Sequence, residues 1–167
     1  SSSSSSSSTN SSQQQYFVGN QETMIRREHM DMVKPMKNGL IQDWSVLEAL
    51  ISHALSSRLS VDPSKHPILV TESVVNTKEK RYKLAELLFE RFKVPALYIA
   101  KEPVLACFAN GRSTGVVMDL GAEHCTVTPV FDGFALESST IRTPHLGGDR
   151  LTSALQHVVL KEHWTGR

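Results

Sequence analysis

The chain has 167 residues, of which 40% are apolar and 21% are charged, and its net charge at pH 7 is +1. This balance is typical of a globular domain, and the low net charge excludes a global electrostatic attraction to nucleic acid or to an acidic membrane. No apolar stretch approaches the ~18–20 residues that span a bilayer, and the polar N-terminus does not resemble a secretory signal. The cysteines, Cys107 and Cys125, lack a metal-binding spacing, so we expect reduced thiols in the core of an intracellular protein.

Residues 1–15 are almost entirely Ser, Thr, Asn and Gln. Such a segment buries too little apolar surface to offset the entropy of ordering, so we predict that it is disordered. The sequence leaves open whether the tract is a natural insertion or the result of an incomplete gene model. Order is expected from residue 16, with a short strand over 16–18 before a turn at Gly19.

Two long helices are expected in the first half of the chain. Asp43 is predicted to cap a helix over about 44–58, whose apolar residues follow the helical period. Asn76 and Glu79 have the spacing of a capping box that opens a second helix over about 77–92. Its inward stripe is predicted to consist of Leu84, Leu87, Leu88 and Phe92. Its basic residues are expected to form a solvated face rather than a nucleic-acid contact; they are Lys78, Lys80, Arg81 and Lys83.

Short apolar strands are predicted over 68–71 and 96–100. Both have the composition of interior strands, which need neighbours on both sides, and few partner strands are predicted elsewhere. We therefore expect an incomplete sheet, a truncated fold and marginal stability of the chain by itself. Pro103 is expected in the first turn of a third helix that runs to Asn110 and buries Phe108.

After Asn110 the spacing of apolar residues changes to that of short strands, and a last helix follows. Strands are predicted over 114–119, 126–130 and 134–136, with a tight turn at Asp132-Gly133. Asp149 is expected to cap a helix over about 150–160. Strand and helix alternation followed by a hairpin predicts an α/β fold.

The sharpest local motif is a hydrophobic strand that ends in Asp119-Leu120-Gly121, followed by Thr126 on a returning strand. A hairpin of this kind can direct backbone N–H groups at a phosphate where glycine lets the chain approach closely. An Asp at the end of the strand can hold a divalent cation through water. The same residues also suit an ordinary hairpin with a turn Asp, so both interpretations remain open on the motif alone. His124 and Cys125 beside it supply too few ligands for a metal site and are expected to be hairpin residues.

A wider set of segments resembles the actin family from about residue 35 to 155, nearly without gaps. The matching segments are Pro-Met-Lys-Asn-Gly-Leu-Ile-Gln-Asp-Trp (35–44), His-Pro-Ile-Leu-Val-Thr-Glu (66–72), Asn-Thr-Lys-Glu-Lys-Arg (76–81), Phe-Lys-Val-Pro-Ala-Leu-Tyr (92–98) and Phe-Ala-Asn-Gly-Arg-Ser-Thr-Gly-Val-Val-Met-Asp (108–119). Within that family the chain is most similar to the actin-like subunit of SWI/SNF-type chromatin-remodelling complexes, whose relatives also serve in histone acetyltransferase assemblies.

The resemblance implies a ribonuclease H-like fold of two α/β halves joined by a hinge helix, with ATP and Mg in the cleft. Residues 16–111 would form part of the first half, with the hinge helix at 102–110, and residues 112–167 would begin the second half. No cofactor is expected for this chain alone, because the first phosphate loop and the adenine-binding segments would lie outside it. Asp119 and Gly121 would belong to the second phosphate-binding hairpin.

Two departures from the family pattern bear on catalysis. Glu102 stands where actin has a Gln that orients the attacking water, and Ala122 stands where actin has a second Asp. A carboxylate cannot donate an amide N–H and adds negative charge beside the phosphates, while Ala122 removes a carboxylate that organises the cation. With Asp119 and Gly121, these residues form the candidate phosphate and cation side of the cleft.

The resemblance therefore implies a nuclear structural subunit that is not an enzyme. Its implied partners are actin, a helical segment of a remodelling ATPase and other remodeller subunits, with indirect contact to nucleosomes and none to membranes. Two alternatives remain. One is an ATP-hydrolysing cytoskeletal relative of actin, and the other is a partial gene product with no independent activity.

Overall fold

The computed structural model describes residues 16–25, 28–144 and 146–163. They divide into two units, one up to Met32 and one from Val33 onwards. The predicted disorder of residues 1–15 lies outside the described residues. The predicted strand over 16–18 is wrong: these residues are irregular and form no β-ladder within the described part of the chain, and a short helix, α1 (Asn20–Thr23), follows them. An isolated three-residue strand has no partner to hydrogen-bond its backbone, so its composition alone does not make it a strand.

The second unit contains the elements that build the candidate site. In chain order they are β1 (Met36–Lys37), β2 (Leu40–Ile41), α2 (Trp44–Ser52), β3 (Ile68–Glu72), α3 (Lys78–Glu86), β4 (Leu97–Lys101), α4 (Glu102–Ala109), β5 (Gly115–Leu120), β6 (His124–Phe131), β7 (Phe134–Ala135), β8 (Ile141–Pro144) and α5 (Gly148–His163). Helices α2 and α3 each continue as a π-helical segment, over His53–Arg58 and Leu87–Arg91. The two predicted long helices are therefore present, with a wider winding in their last turns. Short 3₁₀ turns lie at Pro63–Lys65 and Glu137–Ser139.

Side chains cap both of these helices at their N-termini. Asp43 caps α2 as predicted, because its carboxylate accepts from two backbone amides of the first turn at 3.0 Å. The predicted capping role of Asn76 is wrong. Thr77 caps α3 by accepting from the amide of Lys80 at 3.3 Å, while Asn76 Nδ2 donates instead to the carboxylate of Glu72 at 2.9 Å.

Strands β3 and β4 are parallel and form a two-stranded sheet. The core that packs beside them is centred on Leu84 of α3, on Leu88 of the π-helical segment that follows α3, and on Val94. The partly buried residues around that core are Trp44, Leu47, Ile51, Ile68, Val70, Phe92 and Leu97. Leu69 and Tyr98 are register partners on the two strands, and they are 56% and 65% exposed. The sheet is incomplete, as predicted, since each of these strands pairs with one strand in the described residues.

The basic residues of α3 form a largely solvated face, as predicted: Lys78, Arg81 and Lys83 are exposed and Lys80 is half-buried. Three of them also contact neighbouring elements. Lys80 Nζ donates to the carbonyl of Ile41, and Arg81 donates to a carbonyl of β4 at 3.2 Å. The Lys83 ammonium lies 5.0 Å from the centre of the Trp44 ring, within the range of a cation–π interaction. Long basic side chains can bury their stems against the body of a protein while their charged ends reach oxygen atoms or rings.

The second sheet is antiparallel, and β6 is its central strand. It pairs with β5 in a hairpin and also with both β7 and β8; β8 was missed by the sequence analysis. The predicted tight turn is confirmed: Asp132 and Gly133 have φ angles of 47° and 79°, as a type I′ hairpin turn requires. One face of β5 carries exposed apolar residues, namely Val116, Met118 and Leu120.

Helix α4 begins and ends close to its predicted bounds. Pro103 and Cys107 are its buried residues, whereas Phe108, predicted to point inward, is 52% exposed. Phe108 is exposed because β5 packs against the side of α4 that carries Cys107. A Cβ placed on Gly115 of β5 would lie 3.5 Å from the Cys107 sulfur. The strand thus approaches α4 on its Cys107 side.

Helix α5 begins at Gly148, so Asp149 lies in its first turn rather than at its cap. Its side chains are exposed from Asp149 to Lys161. None of the helices in the described residues is long and apolar enough to cross a membrane.

Candidate functional site

An open cleft of about 430 Å³ lies between the residues that follow β3, the start of α4, and the β5–β6 hairpin. Its lining residues are Ser73, Val74, Glu102, Pro103, Ala106, Val117, Met118, Asp119, Thr126 and Thr128. The lining combines two carboxylates and three hydroxyls with an apolar floor from α4. Such a mixture of an apolar surface and a few convergent polar groups is typical of a ligand-binding cleft.

The two carboxylates of the cleft come from different elements. Glu102 opens α4, and Asp119 lies near the end of β5. Partial removal from water raises the pKa of Glu102, the nearby Asp119 carboxylate raises it further, and His124 opposes the shift. Glu102 retains contact with solvent, so water screens this interaction. A divalent cation bound near the pair would relieve the repulsion between the two carboxylates.

The β5–β6 hairpin places hydroxyl groups opposite the strand that carries Asp119. In the register of the hairpin, Asp119 faces Thr126 and Val117 faces Thr128, and both threonines are buried. The cross-strand pairs lie on one face of the sheet because side chains alternate along each strand. The cleft therefore receives its carboxylate and its hydroxyls from adjacent strands.

The turn of this hairpin has backbone groups available for a ligand. The amide of Gly121 donates to the carbonyl of His124 at 3.0 Å and closes the turn. The amides of Ala122 and Glu123 have no acceptor among the residues that the structure describes. Adjacent unpaired N–H groups in a turn can bind an anion such as a phosphate.

The start of α5 supports the turn from the opposite side. The amides of Gly148 and Asp149 donate to the carbonyls of Gly121 and Ala122, at 3.0 and 2.9 Å. A Cβ placed on Gly147 would lie only 2.5 Å from the Ala122 carbonyl oxygen, so the two backbones are in direct contact. The carbonyl side of the turn is thus occupied by the protein itself. The Gly147-Gly148 pair is the sequence signal of this contact, because a residue with a side chain could not approach the turn so closely.

The structure brings the predicted site residues together in two adjacent places. Glu102 and Asp119 share the cleft, while Gly121 and Ala122 form the hairpin turn and line a neighbouring recess with Leu146. Sequence reasoning missed Ser73, which lines the cleft directly after β3, and Thr128. The signal for Ser73 was its place at the carboxyl end of a parallel strand, where ligands commonly bind.

Comparison with known proteins decides the family. Residues 1–165 match the family model for actin. The chain belongs to the actin family. The predicted membership is confirmed, and the fold is an actin domain of mixed helix and strand content with partial sheets.

Several curated relatives of the actin family are similar to this chain. It is 45% identical over 139 residues to an actin-related protein 4 of Arabidopsis thaliana and 43% identical over 139 residues to one of Oryza sativa subsp. japonica. Each match covers 83% of the chain and 31% of the relative. The chain is also 37% identical over 146 residues to a centractin of Saccharomyces cerevisiae, covering 87% of the chain and 38% of the relative. The chain thus spans about a third of the length of these relatives, which are named as actin-related proteins or centractin.

Proposed function

We propose that this chain is part of a nuclear actin-related subunit of chromatin complexes, which acts as a structural component and does not hydrolyse ATP efficiently. Membership of the actin family and similarity to actin-related proteins support the first part of the proposal. The observation that carries the second part is the composition of the cleft: Glu102 stands beside Asp119, and Ala122 occupies the hairpin turn.

The chemistry of Glu102 argues against rapid hydrolysis. An ionised carboxylate accepts hydrogen bonds from water but has no N–H to donate, so it orients an attacking water less completely than an amide does. Its negative charge adds to that of Asp119 at the place where charge develops during phosphoryl transfer. Ala122 contributes only a methyl group to the turn, so the turn position supplies no carboxylate to organise a cation.

A bound nucleotide remains compatible with these residues, as a structural ligand of the complete protein. The free amides of Ala122 and Glu123 suit phosphate oxygens, and Asp119 with Glu102 suits a divalent cation. Magnesium bound with ATP would neutralise part of the phosphate charge. The bound ligand would stabilise the folded protein, since a ligand that binds only the folded state adds to its stability.

The proposed partners are actin, an amphipathic helix of a remodelling ATPase and other subunits of a SWI/SNF-type or histone acetyltransferase complex. A helix laid into an apolar groove is a common mode of such recognition. Contact with nucleosomes would be indirect, since the net charge of +1 gives the chain no general attraction to DNA.

Affinity purification from nuclear extract tests this proposal. A tagged complete protein that contains this chain is compared with tagged actin and with the tag alone, and the co-purifying proteins are quantified by mass spectrometry. We expect actin and the subunits of a remodelling complex in near-stoichiometric amounts. Recovery of no remodeller subunit above the tag-only level would contradict the proposal.

A second candidate function is that of an ATP-hydrolysing, polymer-forming relative of actin. The Asp119-Leu120-Gly121 hairpin with its free amides favours it. Sedimentation under actin-polymerising conditions separates the two candidates. Filaments in the pellet would favour this second function, whereas a protein that stays in the supernatant beside pelleted actin would favour the first.

A further inference from the structure

The Lys101 side chain is largely buried where β4 meets α4. Lys101 is the last residue of β4, and Glu102 of the cleft directly follows it. Its side chain is 17% exposed, and its ammonium group lies 3.0 Å from the carboxylate of Glu72 and 3.1 Å from that of Glu137. The carbonyl of Val74 lies 3.5 Å from the same ammonium group. Each of the three N–H donors of the ammonium group thus has one oxygen within reach.

Two of these oxygens belong to the wall of the cleft that follows β3. Glu72 ends β3, and the next residues, Ser73 and Val74, line the cleft. Glu72 is itself held from a second direction, because the Arg81 guanidinium of α3 lies 3.1 Å from its carboxylate. The contacts of Lys101 therefore attach this wall to the start of α4.

The carboxylate of Glu137 belongs to the other wall, which the β5–β6 hairpin forms. Glu137 begins the 3₁₀ turn between β7 and β8. The amide of Leu136 donates to the carbonyl of Pro129 in β6 at 2.9 Å. The Thr140 hydroxyl donates to the carbonyl of Leu136 at 3.2 Å and lies 3.4 Å from the hydroxyl of Thr128, which lines the cleft. Both ends of the turn that carries Glu137 are thus anchored to β6.

We propose that Lys101 is a positioning residue that holds the two walls of the cleft together, with Glu72 and Val74 on one side and Glu137 on the other. The chain passes from the parallel sheet to the antiparallel sheet through α4. The ion pair of Lys101 with Glu137, the clasp, adds a noncovalent connection at the first turn of this helix and restricts the separation of the walls. The inference rests on the proposed function in one respect, because the nucleotide proposed there is the ligand that these walls would hold.

Glu137 also completes the charge balance around Lys101. Two cations, Lys101 and Arg81, meet the single carboxylate of Glu72. The carboxylate of Glu137 brings the group to two positive and two negative charges. A buried cation without a counter-charge is costly, so this balance favours the formed clasp. The Glu137 side chain is 60% exposed, so substitutions there can break the clasp without burying a new group.

A distance measurement in the complete protein tests the clasp without any ligand. One nitroxide label is placed at Ser57→Cys, an exposed position on the π-helical continuation of α2, which packs in the core beside β3. The other is placed at Thr152→Cys, an exposed position on α5, whose first amides bond to the hairpin turn. Cys107 and Cys125 are buried and react poorly with the label. Electron spin resonance then reports the separation of the two walls.

Two substitutions of Glu137 should change this separation in a graded way. Glu137→Gln removes the attraction, and Glu137→Lys replaces it with repulsion from Lys101. We expect the distances to become longer and more broadly distributed in the order parent, Glu137→Gln, Glu137→Lys. Glu90→Gln and Glu90→Lys are the matched controls, because Glu90 forms an exposed pair with Lys93, and they should match the parent. Identical distributions in the parent and both Glu137 variants would overturn the proposal.

A double variant shows whether Glu137 acts through Lys101. In Lys101→Met the clasp is already absent, so adding Glu137→Gln should leave the distance distribution unchanged. A further lengthening in the double variant would mean that Glu137 holds the wall through another group, and the role assigned to Lys101 would be wrong. If Lys101→Met does not fold, the Glu137 series in the parent background still decides the proposal.

Release of a fluorescent ATP analogue, bound with magnesium, tests whether the clasp retains a nucleotide. We expect release from Glu137→Gln to be about two- to fivefold faster than from the parent, as loss of a partly exposed ion pair implies. The difference should shrink at about 0.5 M salt, because salt screens the pair. Normal binding with unchanged release in Glu137→Gln would overturn the proposal. Absence of nucleotide binding in the parent would contradict the ligand of the proposed function instead, and the distance measurement would then decide the clasp.

Discussion

Glu72 and Lys101, the last residues of two parallel strands, are register partners, and their charged atoms are 3.0 Å apart. The Glu72 side chain is 3% exposed and also meets Arg81 at 3.1 Å. The Lys101 ammonium also forms an ion pair with Glu137, at 3.1 Å. One oxygen of Glu72, Oε1, has no well-aligned hydrogen bond and is held by two cations instead. Because Lys101 directly precedes Glu102, this buried network fixes the start of the helix that lines the cleft.

We predict that Glu72→Gln destabilises the protein strongly. The change leaves Lys101, whose side chain is 17% exposed, without its buried counter-charge, and breaking a buried pair in this way costs about 3–5 kcal/mol. Urea denaturation measures the change in the free energy of unfolding. Glu90→Gln is the control, because Glu90 meets Lys93 at 3.8 Å on the surface and should contribute about 0–1 kcal/mol. Equal effects of the two substitutions would show that the Glu72 network is not structurally important.

Gly147→Ala should distort the hairpin turn of the candidate site. A new methyl group would lie 2.5 Å from the Ala122 carbonyl oxygen and 2.6 Å from that of Gly121, so backbone must move, at a cost of about 1–3 kcal/mol. Gly148→Ala is the matched control, since its new methyl group would meet nothing closer than 3.8 Å. Thermal unfolding and amide chemical shifts of residues 120–124 report the effect. A Gly147→Ala protein as stable as Gly148→Ala, with unshifted amides, would refute the close packing.

The pH dependence of stability should reveal Glu102. Burial and the Asp119 charge raise the pKa of Glu102 in the folded protein. An acid with a raised folded pKa contributes stability that is present below its usual pKa of 4.5 and is lost as the pH rises through the folded value. Glu102→Gln should therefore match the parent below pH 4.5 and become more stable than the parent at higher pH. Chemical denaturation from acid to neutral pH measures the difference.

An Asp119→Asn variant checks the origin of that shift. Removing the Asp119 charge should lower the pKa of Glu102 towards its usual value, while the part caused by burial remains. Carbon NMR titration of the Glu102 carboxyl group follows the change. A pKa of Glu102 that is the same in the parent and in Asp119→Asn would show that the two carboxylates do not interact.

Lys83→Gln tests whether the basic residues of α3 serve packing. Loss of the cation above the Trp44 ring should cost about 0.5–1 kcal/mol in the free energy of unfolding. Lys78→Gln is a suitable control, because Lys78 is exposed at the start of the same helix. If the two variants were equally stable, the contact between Lys83 and Trp44 would contribute nothing measurable.

Local patterns in the sequence were sufficient to predict most elements of the second unit. The helical period located α2 and α3, and the Asp-Gly pair located the turn at Asp132, because these signals depend on residues close together in the chain. The cap of α3 was misassigned because Asn76 is occupied by Glu72, a contact that depends on how β3 packs against the helix. The π-helical ends have no short sequence signature, and β8 pairs with β6 rather than with β7, the strand that directly precedes it.

The candidate site was also predicted only in part, because local motifs identify some of its residues but not the contacts between distant parts of the chain. Asp119 and Gly121 belong to one local motif, whereas their association with Glu102 was inferred from the resemblance to actin. The contacts of Asn38 with Glu123 and Arg142 join residues 85 and 104 positions apart, and no local pattern predicts which side chains will meet over such separations.

Phosphate release from ATP by the complete protein tests the proposed function most directly. The parent is compared with actin and with a Glu102→Gln/Ala122→Asp double variant, which restores the residue types that the actin pattern has at both positions. We predict no release above background from the parent and measurable release from the double variant. A parent protein that releases phosphate as fast as actin would contradict the proposal that Glu102 and Ala122 make this cleft a structural one.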